Sequence, residues 1–180
     1  MTLVMGTVPD LKAQSPVVRA MQRGDLAAVM EIQQRCHVPD NIEDMTTLTT
    51  RLATVPDGSW VASTDRDGVQ AYLVTYLSRL GQISALGAGF EPAVQPDCVY
   101  LHDLAVAPCA QGQGLAQRLL EQAWRHARQH GLAHATLVAV QGSHGFWQRQ
   151  GFAATATTTE QAAVLSSYAG GPACYMVKAI

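Results

Sequence analysis

Gln111-Gly112-Gln113-Gly114-Leu115-Ala116 is the stretch whose spacing speaks most directly of chemistry. Gly112 and Gly114 leave the backbone bare of side chains. From Leu115 the apolar residues Leu115, Leu119, Leu120, Ala123 and Ala127 recur at helical spacing. A glycine turn that feeds a helix start aims free N–H groups and the positive end of the helix dipole at one spot. That spot suits a phosphate. Two common phosphate loops are excluded by detail. A Walker loop needs a lysine that is absent here, and the dinucleotide fingerprint needs a third glycine where Gln117 stands. Just upstream, Tyr100-Leu-His102-Asp103 places an imidazole, a phenol and a carboxylate within one short run.

The elements that must position these groups follow from pattern. Leu101 and Leu104–Ala107 are apolar with little alternation, as in a strand covered on both faces, and Pro108 ends it. Alternation along that strand puts Tyr100, His102, Leu104 and Val106 on one face and Leu101, Asp103 and Ala105 on the other. The helix after the loop runs from Gly114 to His130, closed by Gly131. Upstream, a strand at 16–21 leads to a helix from Leu26 to Cys36 with Asp25 as N-cap. A second helix is capped by Asp40 or Asn41, with Met45, Leu48 and Leu52 on its inner face. Trp60–Thr64 and Val69–Leu77 form a hairpin about Asp65-Arg-Asp-Gly68. Residues 78–97 form a long irregular loop, of a length that is often functional. Strands at His134–Val140, Phe152–Thr159 and Ala173–Ala179, and a short helix at Ser143–Gln150, complete the chain.

The order is β-α-α-β-β-β-α-β-α-β-β, in one domain at 15–180 after a loose arm at 1–14. The hairpins make the sheet mostly antiparallel, but the strand–helix–strand from 99 to 140 must be a parallel crossover. The chain is thus of mixed α/β class. Its 180 residues allow one sizeable core, with 48% hydrophobic and 14% charged residues. A net charge of −2 without a basic block argues against nucleic acid. No apolar run approaches a membrane span, and the first residues lack a signal-peptide core, so no membrane contact and a cytoplasmic location are expected. Cys36, Cys98, Cys109 and Cys174 are scattered and read as free thiols, with no metal expected.

Gln111, Gly114 and Ala116, after Leu-Ala-Val-Ala-Pro, fill a Gln/Arg-x-x-Gly-x-Gly/Ala pattern that resembles the pyrophosphate loop of the GNAT superfamily of N-acetyltransferases. Gly145-Phe-Trp-Gln-Arg-Gln-Gly-Phe152 stands where that family usually has a Phe/Leu-Tyr-x-x-x-Gly-Phe run. The resemblance covers roughly residues 15–180. It implies a seven-stranded sheet with a central splayed parallel pair and four helices, with acetyl-CoA held in the gap. It further implies that Leu104-Ala105-Val106 offers backbone to the pantetheine arm. The pyrophosphate would rest on Gln111, Gly112, Gln113, Gly114, Leu115 and Ala116, with Arg118 as the nearest fixed cation. The arylalkylamine acetyltransferases carry a His-x-His pair at positions matching Tyr100 and His102. By that match His102 is the base, directly or through a water, and Tyr100 is a cleft wall or a donor to the substrate. Asp103, on the other face by parity, is assigned a structural role.

The chain departs from the family at Trp147, which replaces the tyrosine that protonates the departing thiolate. Tyr168, Tyr175 or water remain as the acid. The family's asparagine is also missing, and Gln141 or Ser143 stands in its region, with Ser143 and Trp147 placed beside CoA. The implied activity is acetyl transfer to a primary amine of a small molecule, by direct attack in a ternary complex. A non-catalytic acyl-CoA sensor, or a protein or peptide acetyltransferase, are the alternatives. The acids Asp40, Glu43 and Asp44 are placed to draw a cationic amine, or merely to favour a helix start. A homodimer is compatible with this reading.

Overall fold

The computed structural model describes residues 16–180. The expected arm at 1–14 lies outside them. The elements are β1 (Val17–Ala20), α1 (Leu26–Cys36), α2 (Met45–Thr54), β2 (Ser59–Thr64), β3 (Gly68–Ser78), β4 (Cys98–Val106), α3 (Leu115–Gln129), β5 (His134–Ala139), α4 (His144–Arg149), β6 (Ala153–Ala154), α5 (Thr159–Leu165) and β7 (Cys174–Ala179). They build one seven-stranded sheet in the order β1-β2-β3-β4-β5-β7-β6. All neighbours are antiparallel except β4 and β5, the crossover pair.

The apolar stripe of α3 does what its spacing demands. Leu115, Leu119, Leu120, Ala123 and Ala127 are all buried against the sheet. On the same face His126 of α3 meets Trp60 edge-on, with ring centroids 5.4 Å apart. The opposite face carries α1, whose Leu26 and Val29 share a small cavity with Tyr72 and Val74 of β3.

Two irregularities in the sheet shape everything that follows. The first is the splay. Parallel pairing runs from Cys98↔His134 to Leu101↔Leu137 and stops, while β5 stays paired to β7 as far as Ala139 and β4 to β3 as far as Val106. Residues 102–106 therefore face a gap on the β5 side. The second is a bulge. Val74 pairs with Asp103 and Thr75 with Leu101, leaving His102 as an extra residue. This overturns the expected parity. Tyr100, Asp103 and Ala105 lie opposite Tyr76, Val74 and Tyr72, so these three share the α1 face. His102 joins them rather than opposing Asp103, and both line one cavity on that side.

Other boundaries also differ. Among the described residues the α-helices number five rather than four, because α5 fills the stretch between the last two expected strands. Asp25 stands at the start of α1 but caps nothing there. It pairs with Arg19 at 2.7 Å and accepts from the Gln22 N–H at 2.8 Å. The cap of α2 is Asp44, which accepts from Thr47 N at 2.7 Å, whereas Asp40 and Asn41 sit in a preceding single turn. Met45 is exposed and not on the inner face. The strand expected over 152–159 shortens to Ala153–Ala154, since only two residues form a ladder with β7. No helix among the described residues is long and apolar enough to cross a membrane.

Candidate active site

The gap between β4 and β5 opens into a cleft of about 460 Å³. Its β4 wall is polar backbone. Ala107 N donates to Gln70 O, so by alternation Asp103 and Ala105 also spend their N–H and C=O groups on β3. Those of Leu104 and Val106 turn to the gap. The Val106 carbonyl is already reached from that side, by the Cys36 thiol at 3.4 Å and the Gln111 amide at 3.5 Å. A buried peptide group needs such partners, and an amide-bearing chain laid in the gap would supply them.

The cleft ends at the glycine loop. Gly112 and Gly114 have φ of +78° and +75°, and a Cβ on either would meet open space. Gly114 is the N-cap of α3 and gives it no side-chain cap. The first N–H groups of a 15-residue helix are thus left for an outside acceptor. Leu104 and Val106 backbone turned to the gap at one end and an uncapped helix start at the other fit an extended arm ending in a diphosphate.

Gln111, Gly112, Gly114, Leu115 and Ala116 line the cleft, as do His102, Leu104, Ala105, Val106, Ser143 and Trp147. Gln113 and Arg118 do not line it. Gln113 Nε2 turns to Cys109 O at 3.5 Å, and Arg118 donates to the Pro16 carbonyl. Trp147 packs edge-on against Phe146 and Phe152 at 4.9 and 5.4 Å, so it serves as wall and core together. Tyr100 departs furthest from expectation. It is 1% exposed and stacked on Tyr76 at 5.0 Å, and it lines neither the cleft nor its side pocket.

At the α1 end the cleft meets a side pocket of about 40 Å³. His37, His102, Asp103, Val140 and Gln141 line both cavities and form the wall between them. Asn41, Glu43, Leu86 and Tyr168 complete the pocket. Its roof belongs to the irregular segment between β3 and β4. The Tyr168 hydroxyl donates to Ser84 O at 2.6 Å, Leu86 N donates to Ser167 Oγ at 3.4 Å, and Gln161 Nε2 donates to Gly81 O at 2.6 Å. The region around α5 therefore clasps that segment in place.

Two charged clusters stand at this wall. In the first, Arg51 of α2 is paired with Glu43, donates to Ala88 O, and lies over the Phe90 ring at 4.6 Å. His102 Nε2 is 2.6 Å from Arg51 Nη1 and 3.3 Å from Glu43 Oε1. Phe90 covers the imidazole edge-on at 4.8 Å. Two tautomers meet these contacts: Nε2 accepts from Arg51, which can only donate, or Nε2–H donates to Glu43. In both, Nδ1 has no partner among the described residues, although the side chain is only 6% exposed. Burial pushes the Glu43 carboxyl up, but the His102 contact and Arg51 outweigh it, and its pKa falls below the ordinary value.

The second cluster went unforeseen. Asp103 Oδ1 accepts from His37 Nε2 at 3.0 Å, and the Tyr72 hydroxyl donates to Oδ2. His37 Nδ1 meets Gln141 Oε1 at 3.1 Å across the gap. Gln141 holds a φ of +51°, the one positive value among the described residues other than glycine. Burial works against the His37 cation, yet Asp103 and Gln141 outweigh it and raise its pKa to about 9. Asp103 is pushed up by burial but held below the usual carboxylate range by His37 and Tyr72. The pair joins residues far apart in the chain, and only the bulge at His102 turns Asp103 to the α1 face. Of the tyrosines considered as acids, Tyr175 accepts from Gly81 N at 2.9 Å away from the cleft, and Tyr168 reaches the side pocket alone.

The fold is shared with known proteins. The family model described as the Acetyltransferase (GNAT) family matches residues 26–152. Among solved structures, the loading GNATL domain of CurA from Lyngbya majuscula superposes with a TM-score of 0.71 at 14% identity, covering 92% of this chain and 98% of that one. The PaiA N-acetyltransferase from Thermoplasma acidophilum, solved with coenzyme A, gives 0.67 at 13% identity over 93% and 100%. The ribosomal-protein-S18-alanine N-acetyltransferase from Escherichia coli gives 0.62 at 18% over 92% and 94%. No curated protein matches the sequence. The structural likenesses speak for the fold, and the family model spans well over half of the chain. The protein therefore belongs to the GNAT family of acetyltransferases, and as an enzyme it is an acyltransferase of the N-acetyltransferase type.

Proposed function

We propose that the protein transfers an acetyl group from acetyl-CoA to the primary amine of a small molecule, by direct attack while both are bound. The observation that carries this reading is the wall shared by the two cavities. An acyl group at the end of the long cleft and an amine in the side pocket would meet at His102. The pantetheine amides would pair with the Leu104 and Val106 backbone, and the diphosphate with the N–H groups from Gly112 to Ala116. Arg118 would add ionic grip once drawn from Pro16.

His102 Nδ1 is the proton acceptor in this account. It is buried and without a protein partner. This requires the tautomer with Nε2–H on Glu43, with Arg51 Nη1 turned to Glu43; a proton arriving at Nδ1 then leaves an imidazolium whose Nε2–H faces Glu43. Glu43 is thus a positioning residue that steadies the charge. Tyr100, which lines neither cavity, supports the wall from behind.

The peptide alternative is less well supported. At ~10–15 Å³ per water, the side pocket takes about three water-sized groups. The test is thiol release from acetyl-CoA with a panel of small primary amines and of peptides. Small amines should turn over. His102→Ala should keep acetyl-CoA affinity and lose the acid-side fall in rate that reports a base. Turnover restricted to peptides would refute the substrate class, and an unchanged pH profile in the variant would refute the base.

A further inference from the structure

Resting on this acetyl-transfer reading, we infer that His37 is the acid of the reaction, delivering the proton on Nδ1 to the departing CoA sulfur, with Asp103 as the residue that positions it. Trp147 stands where an acidic phenol is expected and has no proton to give. The titratable side chains that line the cleft are Cys36, His37, His102 and Asp103. Asp103 is held ionised by His37 and Tyr72, and burial pushes the Cys36 thiol up, so neither is a useful donor. His102 is spent as the proton acceptor. His37 remains, and it lines both the acyl cleft and the side pocket.

Its geometry is that of a held cation. Asp103 fixes Nε2–H at 3.0 Å, and the Tyr72 hydroxyl holds the far carboxylate oxygen so that Asp103 cannot turn away. The opposite nitrogen points across the gap to the neutral Gln141 amide oxygen at 3.1 Å. A thiolate is a stronger acceptor than an amide oxygen, so the proton passes to it once the charge appears. His37 closes α1, where a cation is favoured by the helix dipole. The groups facing it are Asp103 and His102 from β4, Tyr72 from β3 through Asp103, Glu43 and, behind it, Arg51 from the α2 side, Tyr168 from beyond α5, and Cys36 on its own helix. Asp103, the Gln141 oxygen and Glu43 together outweigh burial, and the pKa of about 9 keeps His37 protonated at neutral pH and close to a thiol's own value.

The balance is complete. The carbonyl–sulfur bond breaks and a carbonyl–nitrogen bond forms. The amine gives one proton to His102 Nδ1, and the sulfur takes one from His37 Nδ1. Solvent exchange restores both histidines after the products leave.

Two measurements test this. In the first, CoA is bound to the wild-type protein and to His37→Gln, and the thiol is titrated by thiolate absorbance. A cation beside the sulfur should lower the thiol pKa of bound CoA by about one unit in the wild type, and not in the variant. Identical titrations with CoA bound to both proteins would overturn the inference alone. CoA failing to bind the wild type would overturn the underlying reading, and this one with it. In the second, turnover is followed against pH. His37→Gln should lower kcat by about a hundredfold or more with CoA affinity kept, and should lose the alkaline fall in rate. Asp103→Asn leaves His37 in place without its carboxylate, so the alkaline fall should move to lower pH. A merely structural pair would change stability and leave that limb where it is, which would refute the acid role.

Discussion

Replacing His37 with Gln should flatten the alkaline loss of stability of the domain. The imidazole binds its proton more tightly folded, at about 9, than unfolded, at 6.5. Below pH 6.5 both states are protonated and the His37–Asp103 contact contributes in full. Between 6.5 and 9 the unfolded chain sheds its proton first, so the contribution declines. Above about 9 the folded state sheds it too, and nothing is left. The span of roughly 2.5 units at 1.36 kcal/mol each sets a ceiling of about 3 kcal/mol. Solvent screening trims little, because the side chains are 15% and 17% exposed. The assay is urea unfolding at pH 6, 8 and 10. With an m-value of ~1–3 kcal/mol/M, the wild-type midpoint should fall by roughly 1–3 M more than that of the variant. Tyrosines and other thiols titrate in both proteins alike and cancel in the comparison. Parallel midpoints for the two proteins across this window would refute the pair.

Gly114→Val should abolish the rise in Tm on adding acetyl-CoA. Its Cβ meets open space in the protein, so the intrinsic loss is the strain of φ +75°, about 1–2 kcal/mol; a normal rise in the variant would show that the loop does not hold the phosphates. Arg118→Gln should leave stability nearly unchanged, weaken CoA binding by roughly 1–2 kcal/mol, and flatten the dependence of affinity on salt. Equal affinities and salt slopes would return Arg118 to its bond with Pro16 and direct attention to Arg149.

The glycine loop and α3 were legible because their signals are local. A buried stripe at helical spacing and bare glycines at a helix start need no distant partner to be read. The splay of β4 from β5 followed only from resemblance, since nothing in the strands' composition says where pairing stops. The bulge at His102 was illegible for a related reason. Alternation assumes an unbroken ladder, and one extra residue sends Asp103 to the other face. His37 carried no local signal at all, as its meaning comes from a carboxylate 66 positions away. The same is true of Glu43, which read equally as a draw for a cationic amine or as a helix-start acid and proved to be the buried partner of Arg51. The missed helix α5 did carry a signal. Thr158-x-x-Gln161 is a capping box, with bonds of 3.2 and 2.8 Å in the structure, lying in a stretch between the last two strands that carries no apolar stripe.

Binding of a two-part ligand tests the central claim most directly. CoA bearing an S-linked acetamide of propylamine has the length to fill the long cleft and place a three-carbon head in the side pocket. Calorimetry should give it an affinity about tenfold or more above that of CoA, as expected for a ligand joining both subsites. His102→Ala should erase most of that gain while leaving CoA affinity intact. Equal affinities of the conjugate and CoA for the wild-type protein would contradict the account, for the two cavities would then not meet at His102.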